Sequence, residues 1–304
     1  MTFSESLEQL RGLPVVDYDP EKGLREAGRK AYRVRTAYDN SLGFGEKLTR
    51  FLKEPELPQL TALSIGLWAP ESESNASVAV DPLFAARDRL QGLRSLFFGD
   101  ITFEEQEVSW IEQKDLGPLI SALSNLSECF IRGGNSLRLQ GLRHPTLSRL
   151  VIQTGGLSRT TIQDVLAADL PALEELELWL GSDSYGFDAS VADFAPLLEG
   201  KLFPRLRALG LCNSIIADDL AAAVAKAPIL SRIQVLDLSS GTLSDVGAQA
   251  LLASAGILKL SKLDLHHHYL SEEVMARLSG LGIEVDVSGR EEGDEEDRYC
   301  AVSE

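Results

Sequence analysis

One short pattern, L-x-x-L-x-L, returns along most of this chain and constrains its fold more than any other feature. It reads LTALSI at 60–65, LRSLFF at 93–98, LSECFI at 126–131, LSRLVI at 147–152, LEELEL at 173–178, LRALGL at 206–211, IQVLDL at 233–238 and LSKLDL at 260–265. The fourth positions of these eight copies are Leu63, Leu96, Cys129, Leu150, Leu176, Leu209, Leu236 and Leu263, separated by steps of 33, 33, 21, 26, 33, 27 and 27 residues. Recurrence at such spacing is the mark of a stacked array, in which each unit contacts its neighbours and no unit buries its apolar surface alone. Within a copy the alternation has period two. The fourth and sixth positions point to one face of a strand, and the third, fifth and seventh to the other.

A segment with helical spacing and a start signal follows several of these strands. DPLFAARDRL at 81–90 offers Asp81 as N-cap and Pro82 at the first helical position, SDVGAQALLA opens on Ser244, and SEEVMARLSG opens on Ser271 with Glu272 and Glu273 in the first turn. A further apolar position, filled by Phe103, Leu157, Ile216, Leu243 and Leu270, extends each unit by one core-facing contact. Strand plus helix is therefore the unit. The expected fold is an α/β leucine-rich repeat solenoid (horseshoe) of about eight repeats plus caps, with a parallel concave β-sheet and convex helices.

The C-terminal copies, NSIIADDLAAAVA, SGTLSDVGAQALLA and HHYLSEEVMARL, superimpose in register and resemble the ribonuclease-inhibitor-like class of leucine-rich repeats over residues 59–287. The chain departs from that class in one respect. The usual Asn or Cys three residues after the sixth position is replaced by Trp68, Ile101, Gly134, Gly155, Gly181, Ser214, Gly241 and His268, so the ladder of side-chain hydrogen bonds that asparagine supplies is expected to be missing. The stretches ARDRL-x-x-LRSLFFGDI at 86–101, ADLPALEELELWLGSDSYG at 168–186, KLDLHHHYLSEE at 262–273 and RYCAVSE at 298–304 also resemble a group of uncharacterised bacterial leucine-rich repeat proteins. That resemblance implies a cytoplasmic solenoid without an assigned activity.

Charge narrows the classes of partner. Asp and Glu number 46 against 29 Lys and Arg, a formal charge of −17, which repels phosphate backbones and anionic headgroups, so neither nucleic acid nor membrane is expected to bind. The N-terminus, MTFSESLEQLRGLP, lacks the apolar run of a secretory signal, and LAAAVAKAPIL at 220–230 is too short and too interrupted to span a bilayer. Cys129, Cys212 and Cys300 have no metal-ligand spacing and cannot all pair, which fits a reducing, cytoplasmic setting.

Solenoid ends need covering. Residues 1–58 are assigned as an N-terminal cap, with strands in LPVVDY (13–18) and AYRVRTAY (31–38) and a helix in GEKLTRFLKEP (45–55). The solenoid is assigned to 59–289, ending on the strand pattern GIEVDVSG, and 290–304 to an acidic tail, EEGDEED then RYCAVSE, whose last segment is a candidate docking strand.

No nucleophile elbow, phosphate loop or H-E-x-x-H motif is present, and no enzyme, cofactor or metal is expected. The turn GGLSRTT at 155–161 is an ordinary connection before a helix, although glycines and hydroxyls there also suit an anion. Cys129 replaces a core leucine, while Cys212, at a seventh position, is expected to face the concave groove. That groove carries Phe97, Phe130 and Trp179 with Arg132, Glu175, Glu177, Asp237, Asp264 and His266. Aromatics ringed by charge on a solvent-facing sheet are how protein interfaces are built, unless insertions such as 67–80 and 181–192 fold back over them. The expectation is a monomeric interaction module, adaptor or inhibitor-like, binding another protein that has a basic patch and an apolar anchor. The alternative is a metal-dependent hydrolase using Asp237, Asp264 and His266.

Overall fold

The fourth position, leucine in seven motifs and Cys129 in the other, has nowhere to go but inward, and all eight are at most 1% exposed. The computed structural model describes residues 6–36, 42–68 and 75–302. The expected strand at 31–38, the insertion at 67–80 and the segment 298–304 each run partly outside those residues. Two compact units form, Met1–Ile152 with Ala167–Leu170, and Gln153–Leu166 with Pro171–Glu304.

In the first unit, β1 (Gln9–Leu10) makes a tight antiparallel pair with β2 (Leu13–Asp17). From β2 onward every described pairing is parallel: β2 with β3 (Ala31–Val34), β3 with β4 (Ala62–Ile65), β4 with β5 (Ser95–Phe98), and β5 with β6 (Glu128–Arg132). Their register places Val16, Tyr32, Leu63, Leu96 and Cys129 in one row, so the repeat ladder begins two strands before the first full motif. Strand β7 (Arg149–Gln153) carries the fourth motif. Helices α1 (Phe44–Phe51), α2 (Ser77–Ala85) and α3 (Gly117–Ala122) pack side by side in that order.

The second unit opens with α4 (Arg159–Leu166). It continues through β8 (Glu175–Gly181), α5 (Ala195–Leu198), β9 (Ala208–Ser214), α6 (Ala217–Val224), β10 (Val235–Asp237), α7 (Asp245–Leu252), β11 (Lys262–Asp264), α8 (Glu272–Ser279) and β12 (Glu284–Asp286). The five strands are parallel, with Leu176, Leu209, Leu236, Leu263 and Val285 in register. Ser244 and Ser271 cap α7 and α8, each accepting a bond from an amide of the first turn. The cap residue is also tied to the preceding helix. Asp218 accepts from the Ser244 amide (2.8 Å) and Asp245 from the Ser271 amide (2.8 Å), so one carboxylate per repeat fixes the stacking of successive helices.

Two local expectations are corrected. Helix α2 starts at Ser77, which places Asp81 and Pro82 inside it rather than at its start; buried Ala79, Val80 and Leu83 give the helix a reason to extend upstream. Phe103 does not face the core but is 52% exposed. Side-chain bonding in the loops is also richer than the missing asparagines suggest. His268, fully buried, accepts the Leu270 amide at Nδ1 (3.1 Å) and reaches the Val287 carbonyl with Nε2 (2.9 Å). His144 does the same in the first unit, with the Leu147 amide at Nδ1 (3.0 Å) and the Leu123 carbonyl at Nε2 (2.9 Å). An Nδ1 that accepts from an amide leaves the proton on Nε2, so both imidazoles are neutral connectors. Among the described residues no helix is long and apolar enough to cross a membrane.

Candidate functional site

The third, fifth and seventh positions line one face of the strands, and the two units treat that face differently. In the first unit Phe97 and Phe130 are 1% and 4% exposed, their rings 6.0 Å apart, in an apolar cluster with Ala31, Ala62, Val151 and Leu10. Leu7, Leu13 and Val15 pack against the same cluster. The β1–β2 hairpin therefore lies over the aromatic row, and Arg11 anchors it by donating to Ser127 Oγ (2.7 Å). This corrects the reading of Phe97 and Phe130 as exposed anchors. Among the described residues the cover comes from the N-terminal hairpin.

Arg132 is also buried, at 1% exposure, donating from Nη1 to the Ile101 carbonyl (2.8 Å) with its guanidinium 5.2 Å from the Phe97 ring centre. Burial brings its pKa down to about 10, with Asp100 and Glu105 opposing the shift. Beside it lies an ionic network that the sequence reading missed. Asp100, fully buried, accepts from Arg33 (3.2 Å) and Ser64 Oγ (2.8 Å), and Arg33 also donates to Asp17 (2.6 Å). Burial would raise the pKa of Asp17, but Arg33 and Arg35 outweigh it and hold the carboxyl below its ordinary range. The available signal was Arg33 itself, a charge in the middle of the apolar run AYRV.

In the second unit the same face stays accessible in part, with Asp264 buried at 8% exposure. Glu175, Glu177, Trp179 and Asp237 are half-buried, and the Trp179 indole N–H donates to Glu177 Oε1 (2.6 Å). The register aligns Asp237 with Asp264 and Asp264 with Asp286, one carboxylate per strand. Asp264 is the best held of the three. Its Oδ1 meets His266 Nδ1 (2.7 Å) and its Oδ2 the Lys262 ammonium (3.0 Å). Burial would raise the Asp264 pKa, but these bonds prevail and set it at about 2; the same carboxylate raises that of His266 above its ordinary value, against desolvation. The group whose ligand atoms lie within 4.8 Å of one another is Asp264, His266 and Asp286, so the third member is Asp286 and not Asp237.

Cys212 stands on the strand face expected of it but does not reach solvent. It is 1% exposed, beside Trp179 in register, and burial raises its pKa well above the ordinary thiol value, with Asp237 and Glu177 adding to the rise. Cys129 and Cys300 are likewise pushed up to about 12 by burial, so none of the three thiols is poised to react. The GGLSRTT turn serves packing. A Cβ on Gly156 would lie 1.9 Å from the Tyr185 carbonyl oxygen, so glycine is there to let the 182–186 loop approach. The C-terminal segment docks in the second unit, across strand ends. The Ala301 amide donates to the Ser240 carbonyl (2.8 Å), Val302 N to Asn213 Oδ1 (2.9 Å), and Cys300 is 3% exposed.

A ladder of in-register parallel strands, each followed by a helix or turn and repeated at the spacing of L-x-x-L-x-L, defines a leucine-rich repeat protein of the α/β solenoid type. The chain belongs to the family of a Bacteroides fragilis protein of solved structure. The two are 33% identical, the match covers 88% of this chain and 76% of that one, and the TM-score is 0.82. Two other solved structures are matched at lower similarity. An internalin from Listeria monocytogenes is 13% identical over 86% of this chain and 82% of that one (TM-score 0.32), and a leucine-rich repeat protein of Leptospira interrogans is 12% identical over 89% and 99% (TM-score 0.22). No protein-family model matches the sequence, and neither does any curated protein.

Proposed function

We propose that the chain is a protein-binding module whose partner lies on the accessible strand face of the second unit, against Glu175, Glu177, Trp179, Asp237, Asp264 and His266. The observation that carries this reading is the in-register column Asp237, Asp264, Asp286. Parallel strands set such residues about 4.8 Å apart, and like charges so placed oppose one another. Only Asp264 has a lysine and a histidine against it. A basic surface laid over the column relieves that repulsion on binding, and Trp179 at its edge supplies apolar area. In this reading 59–289 is the binding solenoid and 1–58 its cap, and the protein acts as a cytoplasmic adaptor or inhibitor.

The test is affinity capture with the native chain and with an Asp237→Lys, Glu177→Lys variant, followed by surface plasmon measurements on the captured protein. Slower association of the variant supports the reading, since complementary charge acts mainly on encounter rate. Equal association kinetics would sink it.

The reading as a metal-dependent hydrolase has one observation in its favour, the convergence of Asp264, His266 and Asp286. Lys262, 3.0 Å from Asp264 Oδ2, counts against it, because the ammonium already pairs with that carboxylate. Stoichiometric zinc or manganese in protein purified without a histidine tag would favour it.

A further inference from the structure

The connection between β5 and β6 carries two exposed aromatic side chains, Phe103 and Trp110. It reads TFEEQEVSWIEQ from Thr102 to Gln113, and the stretch from Ser95 to Gln113 contains no Lys or Arg. The segment is pinned along its length. At its start the Thr102 amide donates to Glu105 Oε2 (2.9 Å), and Glu105 also pairs with Arg35 (3.1 Å). At its middle Val108 and Ile111 are 2% and 0% exposed, and Asn135 Nδ2 donates to the Ser109 carbonyl (2.6 Å). At its end the buried Gln113 donates from Nε2 to the Arg132 carbonyl (2.7 Å), and its amide donates to the Asn135 carbonyl (2.8 Å).

Between those pins Phe103 is 52% and Trp110 65% exposed. A loop held this firmly does not present a tryptophan by fluctuation; burying Val108 and Ile111 on either side of Trp110 turns the indole outward as a consequence of the fold. Exposed Glu104, half-buried Glu107 and exposed Glu112 flank the two aromatics along the segment, with no basic residue among them. An aromatic anchor with a charged rim is the composition of an interface core and its margin.

We propose that Phe103 and Trp110 are the anchors of a second docking surface, and that its occupant is a basic protein segment bearing an apolar side chain. The charge decides between occupants. A second copy of this chain or an anionic lipid surface would bring negative charge against Glu104, Glu107 and Glu112, whereas a Lys- or Arg-bearing segment is drawn to them. This surface lies on other residues than the acidic strand face, so each can fail without the other.

Trp110 reports on its own face when its emission is read as the difference between the native chain and Trp110→Ala, since Trp68 and Trp179 also emit. A short synthetic peptide alternating lysine and leucine is titrated against the native chain while tryptophan emission is followed. Three results are expected together: a shift to shorter wavelength as the indole is covered, weaker binding as salt is raised, and a loss of affinity of about tenfold or more in Trp110→Ala, as for an interface anchor. Glu104→Lys with Glu107→Lys should weaken binding. For Trp110→Ala, binding is followed by calorimetry, and an unchanged thermal transition shows that the fold is retained; Phe103→Ser is the second anchor variant. Equal affinity of native and both anchor variants overturns the proposal. So does an absence of binding by the native chain, or equal binding of an alternating glutamate–leucine peptide.

Discussion

Asn213 and Val302, 89 residues apart, are joined by two hydrogen bonds: Asn213 Nδ2 donates to the Val302 carbonyl, and the Val302 backbone amide donates to Asn213 Oδ1 (2.9 Å). Asn213 is fully buried with φ +53°, a left-handed conformation that asparagine tolerates better than most residues. Asn213→Gly keeps the conformation and removes the bonds, so it should cost about 1–3 kcal/mol; truncation after Asp297, which also loses the buried Cys300, should cost at least as much. Urea denaturation measures both. A midpoint unmoved by truncation would mean that the docked segment adds nothing to stability.

Leu209 and Leu236 are neighbours in register and at most 1% exposed. Asp at either position places an unpaired charge in the ladder and should destabilise the second unit by several kcal/mol. Circular dichroism during heating checks this, and a native-like transition in Leu236→Asp would contradict the register.

Burial lowers the pKa of His144 and of His268 below the ordinary 6.5, with the hydrogen bonds to the Leu123 and Val287 carbonyls opposing the shift. Each neutral imidazole therefore contributes stability that is complete above pH 6.5 and lost as pH falls through the lowered folded value. His266 has the opposite sign. Its pKa is raised, so its contribution is complete below 6.5 and lost as pH rises through the folded value. His268→Gln should reduce the loss of stability expected of the native chain between about pH 7 and 5, and His266→Gln should increase it. Denaturation midpoints across that window decide both signs.

Leu10 is 2% exposed over Phe97 and Phe130. Leu10→Asp should lift the hairpin, cost about 2–5 kcal/mol and uncover the aromatic row. Binding of an apolar dye by the folded variant, with none by the native chain, is the expected outcome. Dye binding equal to native would show that the hairpin is not what covers the row.

The sequence by itself determined the strands, their register and the composition of their two faces, because alternation is local. Leu63, Leu96 and Cys129 had to share a buried row in the first unit, and Leu176, Leu209, Leu236 and Leu263 in the second, once each motif became a strand, and Asp237 had to stand beside Asp264. Caps at Ser244 and Ser271 were equally legible, since an N-cap acts on amides two or three residues away. Tertiary structure alone decided what lies over those faces. Leu10 covers Phe130 across 120 positions, Asp100 collects Arg33 and Ser64 from other strands, and Val302 returns to Asn213. Phe103 kept the spacing of a core residue and yet faces solvent, because the burial of Val108 and Ile111 and the bonds of Gln113 set the path of its loop. No periodicity encodes such contacts. They are chosen by which of several apolar segments best fills the space left when the repeats have stacked, and that competition is settled only in three dimensions.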